Sequence, residues 1–449
     1  MPNETTYGPN NRRFANPLCS QKTIYTNFIV FLLICVVCAP VAYFLTSMLT
    51  DLLDWESLPS KSITDSTAIC AKRVVGYFTF WGFFDLQPWQ LNNLTHVIFM
   101  FVRIEKDLVV KTDQTYAETK IWDMKKAVSE AKQNGLKMMF TIGGYQADSE
   151  FRQITSLRAS KESRTKFLNS ITAVIDHYEI DGIEISWMWP PYISRVPYLM
   201  LIRDIREHLE KHRKAKGRAD DYVLSITAPR NISDLNSYYF NEILKYVDFV
   251  NVLTDEYQYS NKQIGPISPL LGNPELSWDA TMKYLVCQTK RPSKFNLVVP
   301  LFGLFWTNAT LNEAFPAPKL NAQGPYEMAW RLWKREPWSS YSVSWDEKSR
   351  LAFVWDSSSR MFATFENERS LREKSLYVRD KNLGGITMNS LDKDEQGTLA
   401  NAIKTVELCT DDELEDIKAF HKICPTPFII CAMESSFGLT PGLFRYSGI

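Results

Sequence analysis

From Arg73 onwards, short runs of β-branched and aromatic residues alternate with longer stretches whose apolar positions recur every three or four residues. The short runs predict strands at Val74–Thr79, Val97–Val102, Lys137–Thr141, Gly182–Ser186, Val223–Ala228, Phe249–Leu253, Asn296–Leu301 and Gly385–Met388. Between them, Ile121, Met124, Val128 and Ala131 fall on one helical face, stopped by Asn134-Gly135. Phe167, Ile171, Val174 and Ile175 repeat that pattern in the next helix. Strands and helices in this alternation predict an α/β protein, a (β/α)8 TIM barrel. A doubly wound sheet is the alternative, but no GxGxxG or phosphate-binding loop follows any of these strands. The interval from about 306 to 365 is rich in Pro and Trp, and Ser342–Trp345 and Leu351–Trp355 read as short strands. A small α+β insertion domain beside the barrel mouth accounts for it.

The ends have a different pattern. No charge occurs between Lys22 and Asp51, and the run Phe28–Leu45 has the length of a membrane-spanning helix. Arg12, Arg13 and Lys22 precede it, and Asp51, Asp54 and Glu56 follow. The positive-inside rule therefore predicts a cytoplasmic segment (1–22), a transmembrane signal anchor (23–49) and a stalk (50–70), with the barrel (71–408) on the lumenal or extracellular side. This is a single-pass type II arrangement; secretion after cleavage of a signal peptide is the alternative. The tail 409–449 opens acidic and stays unassigned.

Composition narrows the partners. Lys plus Arg and Asp plus Glu both total 51, so the chain lacks the basic excess of a nucleic-acid binder. Neither an HExxH nor paired CxxC motifs of zinc spacing occur, so no metal or other cofactor is expected. His208 and His212 lie one turn apart on a charged helix and read as a solvated face, and His96 reads as a core histidine. Asn93, Asn231 and Asn308 open sequons beyond the apolar run and fit a glycoprotein of the secretory pathway. Cys70 precedes the first strand and Cys409 follows the last helix, which a closed barrel makes neighbours. They are the expected disulfide, although Cys287, Cys424 and Cys431 share that compartment.

The segment Tyr178-Glu-Ile-Asp-Gly-Ile-Glu-Ile-Ser-Trp-Met-Trp-Pro190 resembles the fourth-strand signature of glycoside hydrolase family 18, the chitinases. In that family the motif is DGxDxDxE followed by an aromatic residue and Pro. Val75–Trp81 resembles the family's first strand, Leu94–His96 the approach to the second, and Thr141-Ile-Gly-Gly-Tyr145 its SxGGW loop. Asp248–Thr254, Pro300–Gly303 and Leu383–Gly385 are similar to strands six, seven and eight. The anchored arrangement is similar to that of membrane-anchored chitinase-like proteins of nematodes.

The resemblance implies a site whose chemistry is altered. The family's Glu protonates the glycosidic oxygen while the substrate's N-acetyl carbonyl attacks the anomeric carbon. The matching position is Met188, and a thioether has no proton to give. The preceding Asp is replaced by Ser186 and the inner one by Glu184. Four residues of strand put Glu184 roughly 13 Å below position 188, too far to substitute; with Asp181 it reads as a buried polar pair. The sixth-strand Tyr-Asp pair becomes Asp255-Glu256, the seventh-strand Tyr becomes Phe302 and the next Arg becomes Leu304. The Trp that floors the cleavage subsite becomes Asn389. Asp255, Glu256, Asp181 and Glu184 together suggest a carboxylate-rich mouth.

Among groove aromatics, Tyr77, Trp81, Tyr145 and Tyr257 match positions that contact glycan in the family, whereas Trp187 is expected to point outward under a helix. The resemblance thus implies a chitinase-like pseudoenzyme. Its expected partners are chitin or another N-acetylglucosamine-containing glycan, or an unknown protein. An active hydrolase is the alternative.

Overall fold

The computed structural model describes residues 72–424, except 80, 82–84, 113–116, 132–134, 157–159, 256, 258–262, 311–316, 319–321, 330–342, 395 and 410–415. The expected cytoplasmic segment, anchor and stalk lie outside the described residues, as do Cys70 and Glu256. Among the described residues no helix is long and apolar enough to cross a membrane.

Seven parallel strands follow in order: β1 (Arg73–Thr79), β2 (His96–Ile104), β3 (Lys137–Gly144), β4 (Gly182–Trp187), β5 (Val223–Ala228), β6 (Phe249–Val252) and β7 (Phe295–Pro300). An antiparallel excursion follows: β8 (Phe302–Thr307), β9 (Gln323–Ala329), β10 (Ser344–Asp346), β11 (Leu351–Asp356) and β12 (Met361–Phe365). The last barrel strand is β13 (Gly385–Asn389). It pairs with β7 on one side and with β1 on the other, and β1 also pairs with β2, so the sheet closes. All eight predicted barrel strands are present, with ends shifted by a few residues at most.

Among the described residues the helices of seven residues or more are α1 (Ala117–Ala131), α2 (Asp148–Thr155), α3 (Lys161–Tyr178), α4 (Arg195–Ala215), α5 (Trp278–Thr289), α6 (Glu368–Asp380), α7 (Thr398–Lys404) and α8 (Asp416–Ile423). The apolar stripe of α3, including Phe167, Ile171 and Ile175, is buried against the sheet. Ser160 caps its start by accepting from the Ser163 amide at 3.0 Å, and Glu179 ends it in the left-handed region at φ 53°. At Gly182 a side chain would press within 2.3 Å of the Val223 carbonyl oxygen, so glycine lets β4 and β5 close.

The excursion is a five-stranded antiparallel sheet in the order β9-β8-β12-β11-β10. It begins at Phe302, four residues before the expected boundary, because the chain turns from β7 into β8 with only Leu301 between them. Its described elements are strands only, so the expected helical part of the insertion is not seen among the described residues. Just beyond β12, Glu366 pairs with Lys374 of α6, both fully buried. Lys374 also donates to the Ser268 carbonyl at 2.6 Å, and Ser370 to Glu366 at 2.5 Å. Buried charges persist only when paired and hydrogen-bonded in this way, and the cluster fixes the sheet to the barrel wall.

The tail after 408 is partly structured. Helix α8 docks beside α5, Asp416 accepts from the Ser293 amide at 3.0 Å and from its hydroxyl at 2.7 Å, and Cys424 is bridged to Cys287. That bridge was not expected from the sequence. Cys409 is also disulfide-bonded.

Candidate functional site at the barrel mouth

Strand alternation sends Glu184 and Ser186 of β4 into the barrel and Trp187 outward. Outside, Trp187 stacks on Phe151 with 5.4 Å between centroids, and its indole N–H donates to Asp148 at 2.7 Å. It lies under α2, as the sequence suggested.

Inside, Glu184 is the hub of the barrel core. It accepts from Tyr77 and Thr141 at 2.9 Å each, from Asn251 at 2.5 Å and from Ser225 at 3.3 Å. Burial pushes its pKa up, while these donors pull it down and only partly offset that. Asn251 is held in turn by Asn296 and Thr387, at 3.0 and 2.8 Å. Higher on the same face, Thr227 donates to Ser186 at 3.0 Å. Asp181 and Glu184 are both buried, as expected, but each has its own partners, and Asp181 lies just before β4 at the base of the barrel. There it accepts from the Met138 amide and from Arg218, both at 2.9 Å. It is therefore no part of a carboxylate-rich mouth.

Met188 follows β4 at the rim and is half-buried. Opposite it, Asn389 at the end of β13 donates to Asp255 at 2.6 Å. Asp255 is 4% exposed, and burial raises its pKa against the opposing pull of Asn389, Arg230 and Lys393. Phe302 and Leu304 are buried at the root of the insertion sheet. The Lys393 ammonium lies 4.0 Å from the Phe302 ring centroid and pairs with Glu327 of β9 at 2.5 Å. Lys393 and Glu327 were not singled out in the sequence. Their pairing joins residues far apart in the chain, and no local spacing signals it.

The aromatic set divides. Tyr77 is fully buried with its hydroxyl spent on Glu184, and Tyr257 is buried with its hydroxyl 2.8 Å from Thr281. Neither offers a face to a ligand, which corrects both assignments. Trp81 is 47% exposed and stacked on Phe101 at 5.7 Å, and Tyr145 is 73% exposed. Two residues before Tyr145, Gly143 has a φ of 112° and a 2.4 Å clearance to the Ser186 carbonyl oxygen that no other residue would tolerate.

His96 is largely enclosed against Phe249, and burial lowers its pKa to about 4. His212 lies 2.9 Å from Asp176, and no group of metal-ligating residues occurs among the described residues. Asn93 and Asn308 are exposed, while Asn231 is half-buried and donates to Asp234 at 3.3 Å.

The family model for glycosyl hydrolases family 18 matches residues 73–394. The chain belongs to that family. It is 23% identical over 338 residues to Chitinase 1 of Aphanocladium album, covering 69% of this chain and 78% of the relative. It is 24% identical over 353 residues to Chitinase-3-like protein 2 of Homo sapiens, covering 72% and 87%. Among solved structures, YKL-39, crystallised in the presence of chitooligosaccharides, superposes with a TM-score of 0.66 at 21% identity over 74% of this chain and 98% of that one. At such identity the family 18 barrel is shared, while the residues of the mouth must be read in this chain itself.

Proposed function

We propose that this family 18 barrel is a chitinase-like pseudoenzyme that acts by binding and not by hydrolysis. One observation carries the reading. The position that the family motif gives to the proton donor is Met188, and Glu184, the nearest carboxyl on the same strand face, is fully buried and engaged by four donors. General acid catalysis needs a group that reaches the leaving oxygen and holds a proton there, and neither residue meets both conditions.

The favoured occupant of the mouth is a protein partner. With Tyr77 and Tyr257 turned inward and Phe302 beneath Lys393, little of a stacking floor for successive sugar rings remains. A second reading, contact with chitin or another N-acetylglucosamine-containing glycan, is favoured by the exposure of Trp81 and Tyr145 at the rim. It is also favoured by the likeness to a barrel crystallised with chitooligosaccharides. In the same proposal the apolar run within 23–49 anchors the chain with the barrel outside, and Asn93 and Asn308 carry glycans.

The test is retention of the full chain on chitin beads beside Trp81→Ala, with hydrolysis of a fluorogenic chitobioside assayed on the same samples. Retention abolished by Trp81→Ala without turnover selects the glycan reading. No retention and no turnover leaves the protein-binding reading. Turnover by the unaltered chain overturns the pseudoenzyme assignment.

A further inference from the structure

Helix α4 buries one face, with Tyr198, Leu201, Ile202, Ile205 and Leu209 in the core. The opposite side of such a helix is ordinarily polar. Here Ile193, in the turn that leads into α4, and Val196 and Met200 follow at helical spacing and are exposed, Ile193 at 86%. Tyr192, 67% exposed, and Tyr239, beyond β5, join them. The Arg195 guanidinium ties the two rings into one surface, 3.7 Å from the Tyr239 centroid and 5.7 Å from that of Tyr192. At Met200 the strip reaches a cavity of about 40 Å³ where α2, α3 and α4 meet, lined by Phe167 and Leu201 with Arg164 and Asp204 as its charged groups. The charges are unbalanced. Arg203, Arg206 and Arg213 of the same helix pair with Asp204, Asp248 and Asp221. Among the described residues no carboxylate pairs with Arg195 or Arg164, and Asp204, the carboxylate that lines the cavity, is taken by Arg203.

We propose that this face docks a protein segment whose apolar side chains are flanked by carboxylates. Exposed tyrosine and arginine around an aliphatic strip are the composition of a protein-binding surface. The cavity is far below the roughly 300–1,000 Å³ of small-molecule pockets, so it takes the end of one side chain. An arginine held between tyrosine rings without an acidic partner presents a fixed cation to a carboxylate. A second copy of this face would bring no free carboxylate to meet it. Two unpaired arginines also fall short of the about four to eight basic residues that bind anionic lipid. The face shares no residue with the mouth, so the proposal goes beyond the proposed function and holds whichever ligand the mouth takes.

Peptides selected from a phage-displayed random library on the immobilised full chain provide the test. The expected sequences carry Asp or Glu close to aliphatic or aromatic residues. A synthetic peptide of that kind should lose about tenfold in affinity, by fluorescence anisotropy, against Ile193→Asp and against Arg195→Glu. Both variants should retain the parent's circular dichroism. The same peptide with Lys in place of its carboxylate should regain affinity for Arg195→Glu, a reversal that damage to the fold would not produce. Failure to select any peptide, selected peptides without carboxylates, or equal binding by both variants overturns the proposal. Displacement of the peptide by phosphatidylserine vesicles and not by phosphatidylcholine vesicles would assign the face to a lipid surface instead. Sedimentation of the parent as a dimer that Ile193→Asp dissociates would assign it to a second copy.

Discussion

Asn389 donates to Asp255 across the barrel mouth at 2.6 Å, so a buried carboxyl and the amide facing it satisfy each other. The carboxyl is buried, and an unpaired buried acceptor costs free energy that a single donor recovers. Thr227 and Ser186 make a similar match one strand over, at 3.0 Å. Lys393 completes the pattern by covering Phe302 and reaching Glu327. The polar groups of Ser186, Asp255 and Asn389 at the mouth are thus each engaged by a neighbouring side chain.

On the proposed pseudoenzyme reading, those contacts bear on any attempt to introduce catalysis. A carboxyl introduced by Met188→Glu finds Ser186, already bonded to Thr227, where the family pattern has an Asp to adjust it. It also faces a subsite in which Asn389 is committed to Asp255. The expected outcome is no hydrolysis of a fluorogenic chitobioside above the blank for Met188→Glu, or for that change combined with Ser186→Asp. A measurable rate in the single variant would mean that the remaining subsite is intact.

Removing the donor tests the Asn389–Asp255 pair directly. Asn389→Ala leaves the Asp255 carboxyl buried without it, and the expected loss of stability is about 1–3 kcal/mol by urea unfolding. The pH dependence has a definite sign. Burial already raises the Asp255 pKa above its ordinary 3.8, so the folded state holds a proton that the unfolded state has released. Stability from this group is therefore greatest below 3.8 and falls as pH rises through the raised value. Losing Asn389 raises that pKa further, so the loss should be larger near neutral pH than near pH 4. An equal loss at both would assign the effect to packing alone.

The barrel was legible in the sequence because its signals are local. Each strand is a short apolar run, and each helix has a stripe such as Phe167, Ile171, Val174 and Ile175 that is buried where the period placed it. The outward turn of Trp187 followed from strand alternation alone. The site was legible only as far as that same alternation reached. Glu184 and Ser186 point inward as expected, but the role of Glu184 depends on donors from four other strands. Tyr77 and Tyr257 matched groove positions in type, yet whether an aromatic ring faces solvent depends on neighbours distant in the chain. The same holds for Lys393, Glu327 and the Cys287–Cys424 bridge, each of which joins segments that nothing local relates.

At the base of the barrel, His96 should set part of the acid sensitivity. Its Nδ1 lies 2.8 Å from the Thr95 hydroxyl and its ring meets Phe249 edge-on. Burial lowers its pKa to about 4, with Arg73 and Lys137 adding to the effect and Asp248 and Asp181 opposing it. Between about 4 and the ordinary 6.5, the unfolded state binds the proton and the folded state does not. Stability from this group is complete above 6.5 and is lost as pH falls towards 4. Urea midpoints measured near pH 7 and near pH 5 should fall on acidification for the parent chain and change less for His96→Gln. Identical shifts in the two would remove His96 from the account.

The Cys287–Cys424 bridge closes a loop of 137 residues, tying the segment after α8 to helix α5. Cross-linking so distant a pair restricts the unfolded chain, an effect of about 2–4 kcal/mol for native bridges. Noncovalent contacts support the same junction, since Asp416 takes both the amide and the hydroxyl of Ser293, and Lys290 lies 5.6 Å from the Phe420 ring centroid. Cys424→Ser should therefore lower the urea midpoint in non-reducing buffer while leaving the folded secondary structure in place. Ser293→Ala in that background should release α8, seen as faster amide exchange across Asp416–Ile423. A non-reducing peptide map should recover the Cys287 and Cys424 peptides as one species. If Cys424→Ser leaves the midpoint unchanged, the docking of α8 rests on Asp416 and Ser293 alone, and the bridge only records their proximity.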